Sequence, residues 1–419
     1  MPVDVVAPVK NAVKERIIRE FFRTISYPRK NVIDELLTDR PFDFSSGWQE
    51  KFLEAMRWSF RHHYNNSEFY RKLCMQKGFD ESRVNSFEDV WDIPFVLSDV
   101  FKFYDVETKT NDIVASKMSS SGTSGRKSRI KLDSISGQRL LYSLYHINKA
   151  LGLISSMPTN YFMMSYDPAI DDTLGTTTSD VMMSYLTPRK GVFYGLAVGG
   201  NEDIGFSRDR SVEKLRQFVE EGLPIRILGF IHHICEVIIG YKEKYGKLVF
   251  PEQSYIVSGG GWKGTANPYG IAFNLYAFLQ ENTTIDPKNV RDLYTLIEHE
   301  IFYLECADHN KHIPNAAMAC SRDPRTLERL GYGDKGLIHL YSPLIESCPA
   351  LSLLTTDYGY IGESCSCSLS GPYIKIAGRA GVTKKVTCAL TADQYVNPVR
   401  KDEVLTPDLS NGVKGKTTS

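Results

Sequence analysis

Two short apolar runs flank an amphipathic stretch between residues 225 and 257. Ile225-Arg226-Ile227-Leu228 has the length and branching of a strand, His232 to Lys244 reads as a helix, and Ser254-Tyr255-Ile256-Val257 is a second strand that ends in glycines. Strands that alternate with helices build α/β layers, so α/β is the expected class. Late strands fit Gly336 to Tyr341, Ala350 to Leu354 and Tyr373 to Ala377.

The N-terminal part has a different texture. Asn11 to Arg23 and Ser46 to Gly78 are expected to be helical, and the second places Trp48, Phe52, Met56, Phe60 and Tyr64 on one stripe. Pro94 holds Ile93 extended and feeds a short apolar segment. A further helix is expected from Ser136 to Leu151. With 419 residues the chain suits a large domain with subdomains. The expected division is an α/β domain over 1–376 with a helical part over 1–110, a short element over 377–400, and a polar flexible tail over 401–419.

Charge excludes some partners. Lysine plus arginine equals aspartate plus glutamate, 50 against 50, so no basic footprint for nucleic acid and no charge run for a membrane surface is expected. No apolar stretch reaches the length of a membrane helix, and the first twenty residues do not read as a signal peptide. The 8 cysteines are then expected as reduced thiols in a cytoplasm.

The sharpest motif is Met118-Ser119-Ser120-Ser121-Gly122-Thr123-Ser124-Gly125-Arg126-Lys127-Ser128. Small residues let backbone amides and hydroxyls wrap phosphate oxygens, and Arg126 and Lys127 add charge. A serine-rich linker is the plain alternative. A Walker A loop fails on spacing, because Arg126 separates Gly125 from Lys127. Ser258-Gly259-Gly260-Gly261-Trp262-Lys263-Gly264 follows a strand and matches G-x-G-x-x-G. A dinucleotide site would need a long helix immediately after it, and Pro268 and Gly270 argue against one.

Ser120-Ser121-Gly122-Thr123-Ser124-Gly125 resembles the phosphate-binding signature of the adenylate-forming superfamily. Within it the chain resembles the acyl-protein synthetase branch, the long-chain-fatty-acid–luciferin-component ligase family. The resemblance runs from about residue 50 to about residue 395 and includes His63-Tyr64, Phe69-Tyr70, Ile93-Pro94-Phe95, Val100-Phe101-Lys102 and Gly229-Phe230. It implies the α/β N-terminal domain of adenylate-forming enzymes with a truncated C-terminal piece. About 40 residues follow Arg379, short of the roughly hundred-residue C-terminal domain of acyl-CoA synthetases. That leaves the adenylation lysine unassigned and favours an acyl-protein synthetase.

By the same resemblance, Ser119 to Gly125 hold ATP phosphates, with Lys127 as a catalytic cation. Gly259, Gly260 and Gly261 approach adenine. Asp292-Leu293-Tyr294-Thr295-Leu296-Ile297-Glu298 resembles a Tyr-Gly-x-Thr-Glu element, which makes Tyr294 an adenine neighbour and Glu298 the Mg²⁺ ligand. Thr295 and Ile297 depart from that pattern, and Glu298 has the alternative of a surface carboxylate at a helix start. Asp357 in Thr355-Thr356-Asp357-Tyr358-Gly359 accepts the ribose hydroxyls, and Arg379 in Gly378-Arg379 reaches ribose or phosphate. Gly229, Phe230, Ile231 and His232 are expected to line the acyl pocket; His232 and His233 have the alternative of plain helix residues.

Cys306, His312, Cys365 and Cys367 offer a ligand set for structural Zn²⁺, against the alternative of inert buried thiols. Cys388 matches the place where the family takes the acyl group as a thioester, against the alternative of a core residue on a strand. The expected function is ATP-dependent conversion of a carboxylic acid to acyl-AMP, then transfer to a thiol of the enzyme or of an acceptor protein such as a reductase partner. An acyl- or aryl-CoA ligase, an amide-forming ligase, and a silent nucleotide- or partner-binding protein are the competing readings.

Overall fold

The computed structural model describes residues 16, 18–27, 29–45, 47–120, 127–170, 174–198, 204–259 and 274–379. The sequence stripe over 46–78 forms two helices, α1 (Trp48–Asn66) and α2 (Glu68–Gln76), and not one. Ser67 breaks the run: its backbone is extended, and its Oγ accepts from the Tyr70 amide to start α2. Phe52, Met56 and Phe60 are buried, while Trp48 and Tyr64 are half-buried against the same core.

The chain then forms β1 (Val96–Leu97), the short α3 (Val100–Phe103), and an antiparallel hairpin of β2 (Val114–Ser119) and β3 (Arg129–Asp133). Helix α4 (Ser134–Ala150) follows β3 without a gap, and Asp133 Oδ1 caps it by accepting from the Ser136 amide at 3.0 Å. The hairpin therefore stands on a helix that starts at its last residue.

Next comes the alternation read from the sequence. It runs β4 (Thr159–Tyr166), α5 (Gly175–Met183), β5 (Arg189–Val198), β6 (Ile204–Phe206), α6 (Arg208–Glu220), β7 (Ile225–Gly229), α7 (Ile231–Tyr245), β8 (Tyr255–Gly259), α8 (Leu275–Asn282), β9 (Val290–Tyr294) and β10 (Tyr303–Leu304). Among the described residues these strands form a 7-stranded sheet ordered β10-β9-β8-β7-β4-β5-β6. Strands β9 through β5 pair in parallel, and both edges are antiparallel. Core residues of α6, α7 and α8 cover one face; those of α4 and α5 cover the other. Because β4 is buried on both faces, it reads as a nearly continuous apolar run. The order of strand addition switches at β4, which has β5 on one side and β7 on the other, and in an open parallel sheet the carboxyl ends of the strands at such a switch point are where a ligand crevice lies.

The remaining strands are β11 (Lys311–His312), β12 (Met318–Arg322), β13 (Gly336–Tyr341), β14 (Ser352–Gly362) and β15 (Tyr373–Arg379). They pair antiparallel in the order β11-β15-β14-β13-β12, and β1 adds in parallel to β14. Helices α1 and α2 pack on this sheet. No helix among the described residues is long and apolar enough to cross a membrane.

A fully buried arginine joins three of these parts. On α4, Arg139 donates from Nε to Asp34 Oδ1 at 2.7 Å, from Nη1 to Glu346 Oε1 at 2.7 Å and from Nη2 to Asn31 Oδ1 at 2.9 Å. Burial pushes the Asp34 carboxyl up, but Arg139 and the amides of Lys30 and Asn31 outweigh it and hold the group below its usual value. Arg139→Met strands two carboxylates and is expected to cost about 3–5 kcal/mol in urea unfolding. A depressed folded pKa gives stability that is complete above the unfolded value of about 3.9 and is lost as the pH falls below it. Asp34→Asn should flatten that acid limb of the stability curve.

Candidate functional site

The base of the serine–glycine loop is the β2–β3 hairpin. The Ser120 amide donates to the Ser128 carbonyl at 3.0 Å, and the Ser128 amide donates to Ser120 Oγ at 2.9 Å. Lys127 is exposed, and Ser121, Gly122, Thr123, Ser124 and Gly125 lie outside the described residues. Ser119 bridges in parallel to Leu174, the residue before α5. The hairpin thus sits over the carboxyl end of β4, beside a helix N-terminus that has no side-chain cap.

Glu298 lies on the turn after β9 and is only 4 % exposed. It is not a surface group at a helix start. Burial pushes its carboxyl up; Ser128 and Lys102, close by, act in the opposite direction. Lys102 is itself paired with Asp99 at 2.6 Å. The buried Glu300 carboxyl is raised by burial and by Glu298, and its backbone is left-handed, with φ 55°. Ile297 interlocks with Gly175: a Cβ at 175 would stand 2.4 Å from Ile297 Cγ2. The β-branched side chain thus occupies the space that a residue with a side chain would take at the start of α5.

Tyr294 ends β9, and its hydroxyl donates to Asp357 Oδ2 at 2.9 Å. Burial, and then the Asp357 charge, push the Tyr294 hydroxyl well above its usual value, so it remains a donor. Asp357 lies on β14, donates from its amide to Thr355 Oγ1 at 3.1 Å, and pairs in register with Arg379 on β15. One hydrogen bond thus joins the two large sheets beside three residues singled out from sequence. Gly259 ends β8 in register with Leu293, and Gly260 and Gly261 lie outside the described residues.

Gly229 closes β7 with φ 128°, and a Cβ there would meet the Met164 carbonyl oxygen at 2.4 Å. The approach is close because the next amide, of Phe230, donates to that oxygen at 3.0 Å. Phe230 is buried with its ring 5.9 Å from His232, and His232 lies 4.0 Å from His233. Ile231 and His232 are half-buried in the first turn of α7. Burial, with His232 beside it, pushes His233 down to about 4, so it is neutral at pH 7. These side chains stand at the crevice between β4 and β7.

Cys306 follows β10, His312 lies in β11, and Cys365 and Cys367 lie between β14 and β15. Folding brings their donor atoms within 4.8 Å of one another. Cys306 and Cys365 Sγ are 3.7 Å apart, and Cys367 Sγ is 3.1 Å from His312 Nε2. A tetrahedron with metal–sulfur bonds of about 2.3 Å has sulfur–sulfur edges of about 3.8 Å, so the set fits a tetrahedral ion. Asn310 Nδ2 donates to Cys365 Sγ at 3.0 Å, and the amides of Cys367 and Leu369 donate to sulfur; against burial, these bonds favour the thiolate and hold Cys365 below its usual value, while burial pushes Cys306 and Cys367 up. Cys388 lies outside the described residues.

Two features of this site had no role in the sequence reading, although Lys102 stands within the family resemblance. Lys102 gains its place only because α3 is folded against β3, and the start of α5 carries no motif beyond Gly175 and a run of threonines.

Residues 26–396 match the family model described as acyl-protein synthetase, LuxE. The chain is 26% identical over 345 residues to a long-chain-fatty-acid–luciferin-component ligase of Vibrio harveyi, across 80% of this chain and 85% of that protein. It is 24% identical over 398 residues to the ligase of the same name from Aliivibrio fischeri, across 91% and 99%. Its fold is similar to that of 2-hydroxyisobutyryl-CoA ligase solved in an open conformation with 2-HIB-AMP and CoA, with a TM-score of 0.61 at 14% identity over 81% of this chain and 76% of that one. An α/β architecture of this kind, and a family match that spans the hairpin, the buried carboxylate and the β14–β15 pair, lead to one assignment: the chain belongs to the LuxE acyl-protein synthetase family.

Proposed function

We propose that the crevice binds Mg·ATP and a long-chain carboxylic acid, forms the acyl adenylate with release of pyrophosphate, and passes the acyl group to a thiol. The observation that carries the reading is convergence. The hairpin base, Glu298 and the Tyr294–Asp357–Arg379 group come from four parts of the chain and meet at the carboxyl ends of the parallel strands. Hairpin amides and hydroxyls, with Lys127 and Lys102, would take up charge on the phosphates. Asp357, acceptor-only when ionised, suits the ribose hydroxyls. Gly229, Phe230, Ile231 and His232 offer an aromatic and aliphatic wall for the acyl chain.

Glu298 fits a divalent cation. It is buried, and no ion pair neutralises it among the described residues. Glu298 would hold Mg²⁺, which would supply positive charge to offset that of the phosphates. Glu298→Gln should lower ATP–pyrophosphate exchange with long-chain acids on the order of 10²-fold. In magnesium-free buffer the same variant should melt higher at pH 7. A carboxyl whose folded pKa is raised weakens the fold once the pH passes its unfolded value of about 4.3. Unchanged exchange would remove Glu298 from the site.

The Cys306–His312–Cys365–Cys367 set is read as a structural Zn²⁺ centre that ties β10 and β11 to the β14–β15 hairpin. Protein purified without added metal should carry about one equivalent of zinc, and Cys367→Ser should lose both the metal and thermal stability. Absence of stoichiometric metal from folded protein would exclude the centre.

In this reading Cys388, outside the described residues, is the acyl acceptor, because it lies where the resembled synthetases take the acyl group as a thioester, and a reductase partner is the next carrier. Incubation with ATP and a long-chain acid should add the acyl mass to the intact chain, and Cys388→Ala should abolish the adduct. An adduct that persists in the variant places the thioester elsewhere, and acyl-CoA formed without any adduct selects the CoA-ligase reading.

A further inference from the structure

Among the described residues, two arginines on the seven-stranded sheet have no anionic partner. Arg226 on β7 is 6 % exposed and Arg291 on β9 is 5 % exposed. No group accepts from Arg226 Nε or from Arg291 Nε and Nη1. No carboxylate forms an ion pair with either among the described residues. Glu305 lies in range of Arg291, but its oxygens already accept from Tyr276 Oη at 2.8 Å, the Asp292 amide at 2.8 Å and Lys311 Nζ at 3.0 Å.

The strand registers place the two arginines on one face. Arg226 pairs with Tyr255 of β8, and Arg291 pairs with Val257, two residues further along the same strand. Partners in parallel strands point the same way, and alternate residues of one strand share a face. Two strand spacings and a two-residue offset along the strand separate the arginine backbones by about 12 Å, a span that their long side chains can close. Tyr255 stands between them, with the Arg226 guanidinium 4.4 Å from its ring centre. All three lie towards the amino ends of their strands, at the opposite edge of the sheet from Gly229, Gly259 and Tyr294.

Burying a guanidinium without an anion is costly, and here two on one face of the sheet carry that cost. We propose that Arg226 and Arg291 form a second anion site, separate from the nucleotide crevice, that takes a compact tetrahedral oxyanion of the phosphate class. The planar fork of arginine matches such an oxyanion through paired hydrogen bonds, and the Tyr255 ring packs one guanidinium in place. With stems this buried, the site admits a small anion at the guanidinium tips and no bulky one.

The test is melting of the full-length protein at constant ionic strength against inorganic phosphate, sulfate and chloride, with glycerol 3-phosphate to separate free phosphate from a phosphate ester. Wild type should gain melting temperature saturably with phosphate and sulfate and not with chloride. Arg226→Met and Arg291→Met should each blunt that gain, keep ATP–pyrophosphate exchange within about twofold, and melt above wild type in oxyanion-free buffer. Arg226→Met also keeps the test independent of Cys306, which adjoins Arg291. Full retention of the phosphate response in both variants would assign it to the nucleotide crevice and overturn the proposal. A crystal soaked in selenate gives a reading that needs no variant: anomalous density at the two guanidiniums supports the site, and density at the β2–β3 hairpin alone overturns it.

Discussion

The guanidinium of Arg139 connects what the rest of the architecture needs held together. It reaches the N-terminal segment through Asn31 and Asp34 and the loop before β14 through Glu346. From the first turn of the same helix, Ser136 Oγ accepts from the Glu346 amide at 2.8 Å. Because α4 begins where β3 ends, fixing α4 fixes the hairpin that carries the serine–glycine loop. An apolar residue at 139 would pack but could not align three segments, since dispersion has no direction and a fork of donors does.

The candidate site lies along the seam between two sheets of different construction. The larger supplies the parallel-strand ends, with Gly229, Gly259 and Tyr294; the smaller supplies the β14–β15 ladder, with Asp357 and Arg379. Three sets of contacts span the seam. One is the Tyr294–Asp357 hydrogen bond. Another is the ion pair of Lys311 with Asp292 at 2.8 Å, and the last is the cysteine–histidine cluster. Hydrophobic burial can hold two sheets together, but it does not set their register. Directional polar links at the seam do, and in this fold they fall beside the residues that would meet nucleotide.

Much of this was legible from the chain. The period change at 225–257 identified β7, α7 and β8 nearly to the residue, because a buried parallel strand and an amphipathic helix leave different spacings. The break at Ser67 was not legible: the apolar stripe continues through it, and only the cap and the extended backbone divide the helix. Glu298 was readable as a motif position but not as a buried group, because burial depends on what α3 and the hairpin bring over it. The full length of β14, Ser352–Gly362, also escaped, since its polar second half is extended by its neighbours in the ladder and not by its own composition.

By itself the sequence determined the layer class, the position of the glycine-rich turns and the residue types able to meet phosphate, ribose and metal. Those are local properties of side-chain size, charge and period. Only the tertiary structure decided that Tyr294 touches Asp357, that Gly175 makes room for Ile297, that four metal-ligand candidates from separate segments converge, and that Arg226 and Arg291 share one face of a sheet. Each of these depends on strand order and register, which are set by long-range packing and hydrogen bonding between segments far apart in the chain.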